Sequence, residues 1–62
     1  MIKRRDLETH LRANGCERVR EGGRHSVWEN PANGRRATVP RHREIPRGTT
    51  HSICTQLEIP DP

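Results

Sequence analysis

His25 follows two glycines and an arginine in the run Gly22-Gly23-Arg24-His25-Ser26. Imidazole is the one side chain whose unperturbed pKa allows proton transfer near neutral pH. The glycines leave the space around it open. Arg24 places a guanidinium, which binds phosphate in a bidentate fashion, one residue away. A histidine in such a turn has what a small metal-free nuclease would need. RNA carries its own nucleophile, the ribose 2′-hydroxyl. A general base that removes its proton lets it attack the adjacent phosphate and leave a 2′,3′-cyclic phosphate. General base catalysis of this kind contributes about 10² to 10⁴ in rate. Arg24, and Arg20 or Arg41 if the fold brings them near, are the candidates to stabilise charge on the phosphate. The same run also fits a polar hairpin whose histidine has no chemical task.

Other constellations are weaker. His10, Cys16, His25, His42, His51 and Cys54 contain no C-x₂-C or H-x₃₋₅-H pair, and His51 with Cys54 is a lone pair. No metal or cofactor site is therefore expected. No glycine-rich nucleotide loop is present, and a Ser-His-Asp hydrolase would need a cleft that so short a chain cannot build. The segment Val39-Pro40-Arg41-His42-Arg43-Glu44-Ile45 is the most basic. Arg41 and Arg43 there, and Arg47 beyond it, fit contacts to a nucleic-acid backbone, though a solvated loop would look the same. Gly48-Thr49-Thr50, at the expected start of a helix, offers free N–H groups to a phosphate or simply caps the helix. His42 and His51 are reserve candidates for a second proton-transfer group.

The elements that must position these residues have little apolar material to work with. The 62 residues are expected to form one domain, 1–62, of marginal stability. Its core would draw on Ile2, Leu7, Leu11, Val19, Val27, Trp28, Val39, Ile45, Ile53, Leu57 and Ile59, with Ala13, Ala37, Cys16 and Cys54 adding a little. So thin a core is expected to gain from a homodimer or a bound partner. The net charge is +4, and eleven of the twelve cations are arginine, which favours an anionic partner such as RNA, DNA or an acidic protein. The start Met-Ile-Lys-Arg-Arg does not read as a signal peptide, and no apolar run could span a membrane. A cytoplasmic protein without a membrane partner is expected, with both cysteines reduced and buried as small hydrophobes.

Leu7 and Leu11, four apart, predict a helix over 3–14, stopped by Asn14-Gly15. It has no standard N-cap residue, and Lys3, Arg4 and Arg5 oppose its macrodipole. Residues 16–21 predict a strand anchored by Val19, and Gly22-Gly23 a hairpin turn. His25–Asn30 predicts the second strand. Alternation places His25, Val27 and Glu29 on one face and Ser26, Trp28 and Asn30 on the other, without deciding which is buried. Asn33-Gly34 predicts a second hairpin, and residues 35 or 36 to Val39 a third strand ended by Pro40. Pro40–Arg47 reads as a loop. Thr49 would then cap a second helix running to Leu57, with Ile59 tucked against the core. The fold class is α+β, in the order α-β-β-β-α, with both helices on one face of a three-stranded antiparallel sheet.

In order and spacing these segments resemble the HicA-type (YcfA-like) toxins of bacterial toxin–antitoxin pairs. The resemblance rests on Arg4-Arg5-Asp6-Leu7, Asn14-Gly15-Cys16, Arg20-Glu21-Gly22-Gly23-Arg24-His25-Ser26, Ala37-Thr38-Val39-Pro40-Arg41-His42-Arg43-Glu44-Ile45 and Ile53-Cys54-Thr55-Gln56-Leu57-Glu58-Ile59-Pro60. It implies a double-stranded-RNA-binding-domain arrangement and a metal-independent endoribonuclease that cleaves mRNA. It also implies a HicB-like antitoxin that covers the active site in a hetero-oligomer. The family's catalytic histidine, which follows a Gly-Ser pair, falls on His25. Arg24 stands where that serine would be, and Ser26 where many members carry a second histidine. A non-catalytic double-stranded-RNA-binding module is the alternative, and a structural or antitoxin-like adaptor without RNA affinity a third.

Overall fold

The structure, a computed structural model, describes all 62 residues. In chain order the elements are β1 (Ile2–Lys3), α1 (Arg4–Ala13), β2 (Glu17–Glu21), β3 (His25–Asn30), β4 (Arg35–Pro40), β5 (Glu44–Ile45) and α2 (Arg47–Leu57). Strands β2, β3 and β4 form an antiparallel meander. Both helices bury their apolar stripes against one face of it. Leu7 and Leu11 of α1 and Ile53, Cys54 and Leu57 of α2 share a core with Trp28, Ala37, Val39, Ile45 and Cys16. Ile2 and Ile59 pack against its margin. The α-β-β-β-α expectation holds, and both cysteines lie in this core as free thiols.

The segment between β4 and α2 corrects the loop expected there. Glu44 and Ile45 pair antiparallel with Lys3 and Ile2 in a second, two-stranded ribbon. Ile45 is fully buried, and this anchoring is why the segment is extended. Two-residue strands carry no alternation that a sequence could reveal. The start of α2 is corrected as well. Pro46, with φ −59° and ψ 150°, occupies the N-cap, and Thr49 lies inside the helix. Proline fixes φ, lacks the N–H that a first turn leaves unbonded anyway, and holds Ile45 before it extended, so strand passes directly into helix.

Both helices end in a left-handed residue. Gly15 has φ +83°, and the N–H groups of Gly15 and Cys16 return to the carbonyls of Arg12 and Leu11. This is the glycine stop expected after α1. In α2 the same pattern falls on Glu58, φ 58°, whose N–H and that of Ile59 bond to Thr55 and Cys54. The last carbonyl of α2, on Leu57, accepts from the side-chain amides of Asn30 at 2.9 Å and Asn33 at 3.1 Å. The β3–β4 turn is thereby tied to the helix layer.

Three residues expected in the core lie outside it, the half-buried Val27 among them, since it sits on the face of β3 opposite Trp28 and lines the space beside His25. Ala13 is exposed at the end of α1. Val19 is 39% exposed, because the β2–β3 register slips at that point. Arg18 pairs with Trp28 and Arg20 with Val27, leaving Val19 unpaired in a bulge.

Candidate functional site

Trp28, Ser26 and Asn30 face the core, and the Trp28 indole N–H donates to Ser26 Oγ at 3.1 Å. His25 therefore projects from the opposite, open face of β3, and it is exposed. The face left open by the sequence is decided by the two helices, which cover the Trp28 side.

The bulge decides which side chain joins His25. With unbroken alternation, Arg20 would share the face of Arg18, opposite Trp28. The extra residue at Val19 shifts the parity, so Arg20 pairs with Val27 on the open face. Next to it, Gly22 N–H bonds to the His25 carbonyl at 2.8 Å. A Cβ on Gly22 would stand 3.0 Å from that oxygen, a tight contact with backbone that a larger residue relieves only by shifting the turn. Gly23 serves differently, since a Cβ there would meet nothing within 4 Å.

Arg20, Gly22, Gly23, Arg24, His25 and Val27 line one shallow cleft of about 230 Å³. Five of the eight residues singled out by sequence thus converge. The other three do not line it. Arg41 braces it from behind: its N–H bonds to the Arg24 carbonyl at 3.0 Å. Its guanidinium donates to the Gly22 carbonyl at 3.3 Å and pairs with Glu21 at 3.4 Å. Arg43 lies in a separate cleft, and Arg47 begins α2 beside Met1, Ile2 and Asp61.

The His25 imidazole has no hydrogen-bond partner within the chain, and neither has that of His42. The remaining histidines are engaged. His51 Nδ1 lies 2.9 Å from Asp61 Oδ2, and His10 Nε2 lies 2.6 Å from the Pro60 carbonyl, so both tie down the C-terminal segment. The thiols of Cys16 and Cys54 are pushed up from their ordinary value by burial, with Asp61 and Cys16 adding to the effect at Cys54. Both stay protonated near neutral pH and do not act as nucleophiles.

The second cleft, about 260 Å³, is lined by Lys3, Arg4, Arg5, Arg41 and Arg43 and by no apolar residue. The first three were not singled out as functional by sequence. Their conflict with the α1 macrodipole was the available signal.

These features define a small α+β domain that exposes a histidine beside arginines on an open sheet face. The chain belongs to the HicA toxin family. Residues 4–59 match the family model described as the HicA toxin of bacterial toxin–antitoxin, which makes it the toxin of such a system. No curated protein and no solved structure matches it. No helix is long and apolar enough to cross a membrane.

Proposed function

We propose that this toxin is an endoribonuclease of mRNA in the cytoplasm, with His25 as general base. The observation that carries the reading is an exposed, unpartnered imidazole in a cleft shared with Arg20 and Arg24. His25 takes the proton of a ribose 2′-hydroxyl. The 2′-oxygen then bonds to phosphorus, the bond from phosphorus to the 5′-oxygen breaks, and that oxygen takes a proton from water. The products are a 2′,3′-cyclic phosphate and a free 5′-hydroxyl. The guanidinium groups of Arg20 and Arg24 hold the phosphate and offset the charge that builds on its oxygens. The chemistry so described calls for no metal ion or cofactor. Arg24, where the family carries serine, supports phosphate binding more directly than a hydroxyl would, because its fork is charged and bidentate.

A HicB-like antitoxin is the proposed partner, inhibiting the toxin by covering this cleft. An acidic surface would suit the basic one it meets.

The test is growth arrest on expression, together with cleavage of labelled RNA in EDTA. His25→Ala and His25→Gln, confirmed as folded by circular dichroism, are expected to abolish both, with cleavage falling by about 10² or more. Cleavage by folded His25→Ala at the wild-type rate overturns the assignment of the base. Loss of wild-type cleavage in EDTA overturns metal independence. A wild-type protein that shifts RNA but leaves it intact is a binding module.

A further inference from the structure

The cleft formed by Lys3, Arg4, Arg5, Arg41 and Arg43 lies outside the His25 cleft but is joined to it. Arg41 bonds to Gly22 and Arg24 on one side, and its carbonyl accepts from Arg4 Nη1 at 2.9 Å on the other. Five cations line a space of about 260 Å³ with no apolar residue among them. Such a lining excludes a small hydrophobic ligand and fits an anion.

The cations are unevenly neutralised. Arg41 pairs with Glu21 at 3.4 Å. Arg4 and Arg5 have carboxylates only at the limit of contact, Glu8 at 3.9 Å and Asp6 at 4.0 Å. Lys3 and Arg43 have none. Three of the five stand at the N-terminus of α1, where the macrodipole already presents positive potential and favours anions. The helix also lacks a side-chain cap there. Repulsion of this kind lowers the stability of a domain with little to spare, and a bound phosphate would relieve it. The helix terminus does not stand alone in this respect. Arg43 and Arg41 reach the same space from the β4–β5 segment, which the β1–β5 ribbon pins beside α1: Arg4 N–H bonds to the Arg43 carbonyl at 2.9 Å.

We propose that this cleft is a second phosphate-binding site, which holds the RNA backbone away from the bond presented to His25. The proposal rests on RNA being the substrate. It assigns Arg4 and Arg41, whose guanidinium groups also bond within the chain, to the frame of the site. Lys3, Arg5 and Arg43 have side chains free to meet phosphate oxygens. Such contacts position a strand without reading its bases, so they raise affinity for all sequences alike.

The test compares Lys3→Ala/Arg5→Ala/Arg43→Ala with its parent, leaving the bonded arginines in place. Binding of a labelled RNA is measured in the His25→Ala background over a range of salt. Removing three phosphate contacts is expected to weaken binding by about tenfold or more, equally for unrelated sequences. It should flatten the dependence of log affinity on log salt by about 2, at roughly 0.7 per contact for a single strand. In the cleaving protein, KM for a long RNA is expected to rise. The loss on that RNA should exceed the loss on a dinucleotide, whose single phosphate cannot occupy both clefts at once. Unchanged affinity and salt slope in the folded triple variant overturn the second site, and so does an equal loss on long and short substrates. A wild-type protein that cleaves nothing overturns the role of His25, while the binding titration still decides the second cleft.

Discussion

Gly22 is the residue on which the position of His25 turns most directly. Its N–H holds the His25 carbonyl at 2.8 Å, and a methyl group on it would press on that same oxygen at 3.0 Å. The neighbour is backbone and cannot rotate away. Gly22→Ala is therefore expected to cost about 1–2 kcal/mol, in the range of overpacked sites, and to displace His25. Displacement of a reacting group by an ångström lowers rates by up to about 10². A thermal melt and the RNA cleavage rate, measured on one preparation, check both halves. Wild-type cleavage by Gly22→Ala would remove the turn from the mechanism. Gly23→Ala, with open space around it, is the matched control for stability.

At the scale of elements, the bulge in β2 is what turns a structural strand into part of the cleft. Every residue of β2 is exposed, so the strand contributes nothing to the core and its register is set by pairing alone. One extra residue at Val19 moves Arg20 to the face of His25. Deleting Val19 removes the extra residue and leaves Arg18 opposite Trp28 and Arg20 opposite Val27, so Arg20 stays on the face of His25. The shortened domain is expected to fold, since no buried group is lost, and to keep cleavage well above that of Arg20→Ala. Circular dichroism and the two cleavage rates are the comparison. Cleavage by the deletion as low as that of Arg20→Ala would show that pairing opposite Val27 is not what brings Arg20 into the cleft. The regular strands β3 and β4 are held more firmly, by six paired residues each, by the Glu29–Arg36 pair at 2.8 Å on the open face, and by the amides of Asn30 and Asn33 on α2.

At the scale of the whole molecule, ten core residues hold the fold around a single aromatic, Trp28, which is fully buried and has Arg12 at 5.0 Å from its ring centroid. With no phenylalanine or tyrosine in the chain, its fluorescence reports one site and makes a clean probe of unfolding. The same composition simplifies the alkaline limb of stability. With one lysine and no tyrosine, the two thiols are the main side chains to titrate from about pH 8 to 10. Burial raises both in the folded state. Above the ordinary thiol value the unfolded chain therefore holds fewer protons than the native one, and stability falls as pH rises. Denaturant titrations followed by Trp28 under reducing conditions are expected to show a flat unfolding free energy near neutrality and a decline above about pH 9. A flat profile through pH 10 would contradict the burial of the two thiols.

Local chemistry in the chain was sufficient for the elements and for part of the cleft. Leu7 and Leu11, the Asn14-Gly15 stop, the Gly22-Gly23 and Asn33-Gly34 turns and the Ile53–Leu57 spacing each depend on near neighbours. The two helices, the three-stranded meander and the closeness of Gly22, Gly23, Arg24 and His25, neighbours in one run, were legible for that reason. The β1–β5 ribbon was not, because two-residue strands exist only through a partner some forty residues away. The outward placement of Val19 was not, because a bulge depends on the register of the strand opposite. The side of β3 that is open depends on where the helices lie, since alternation alone is symmetric. The second cleft draws its cations from both ends of that ribbon. Side-chain type is local, so the order of residues is enough to say which groups can do chemistry; adjacency across the fold is not local, so which of those groups share a space depends on how the elements pack.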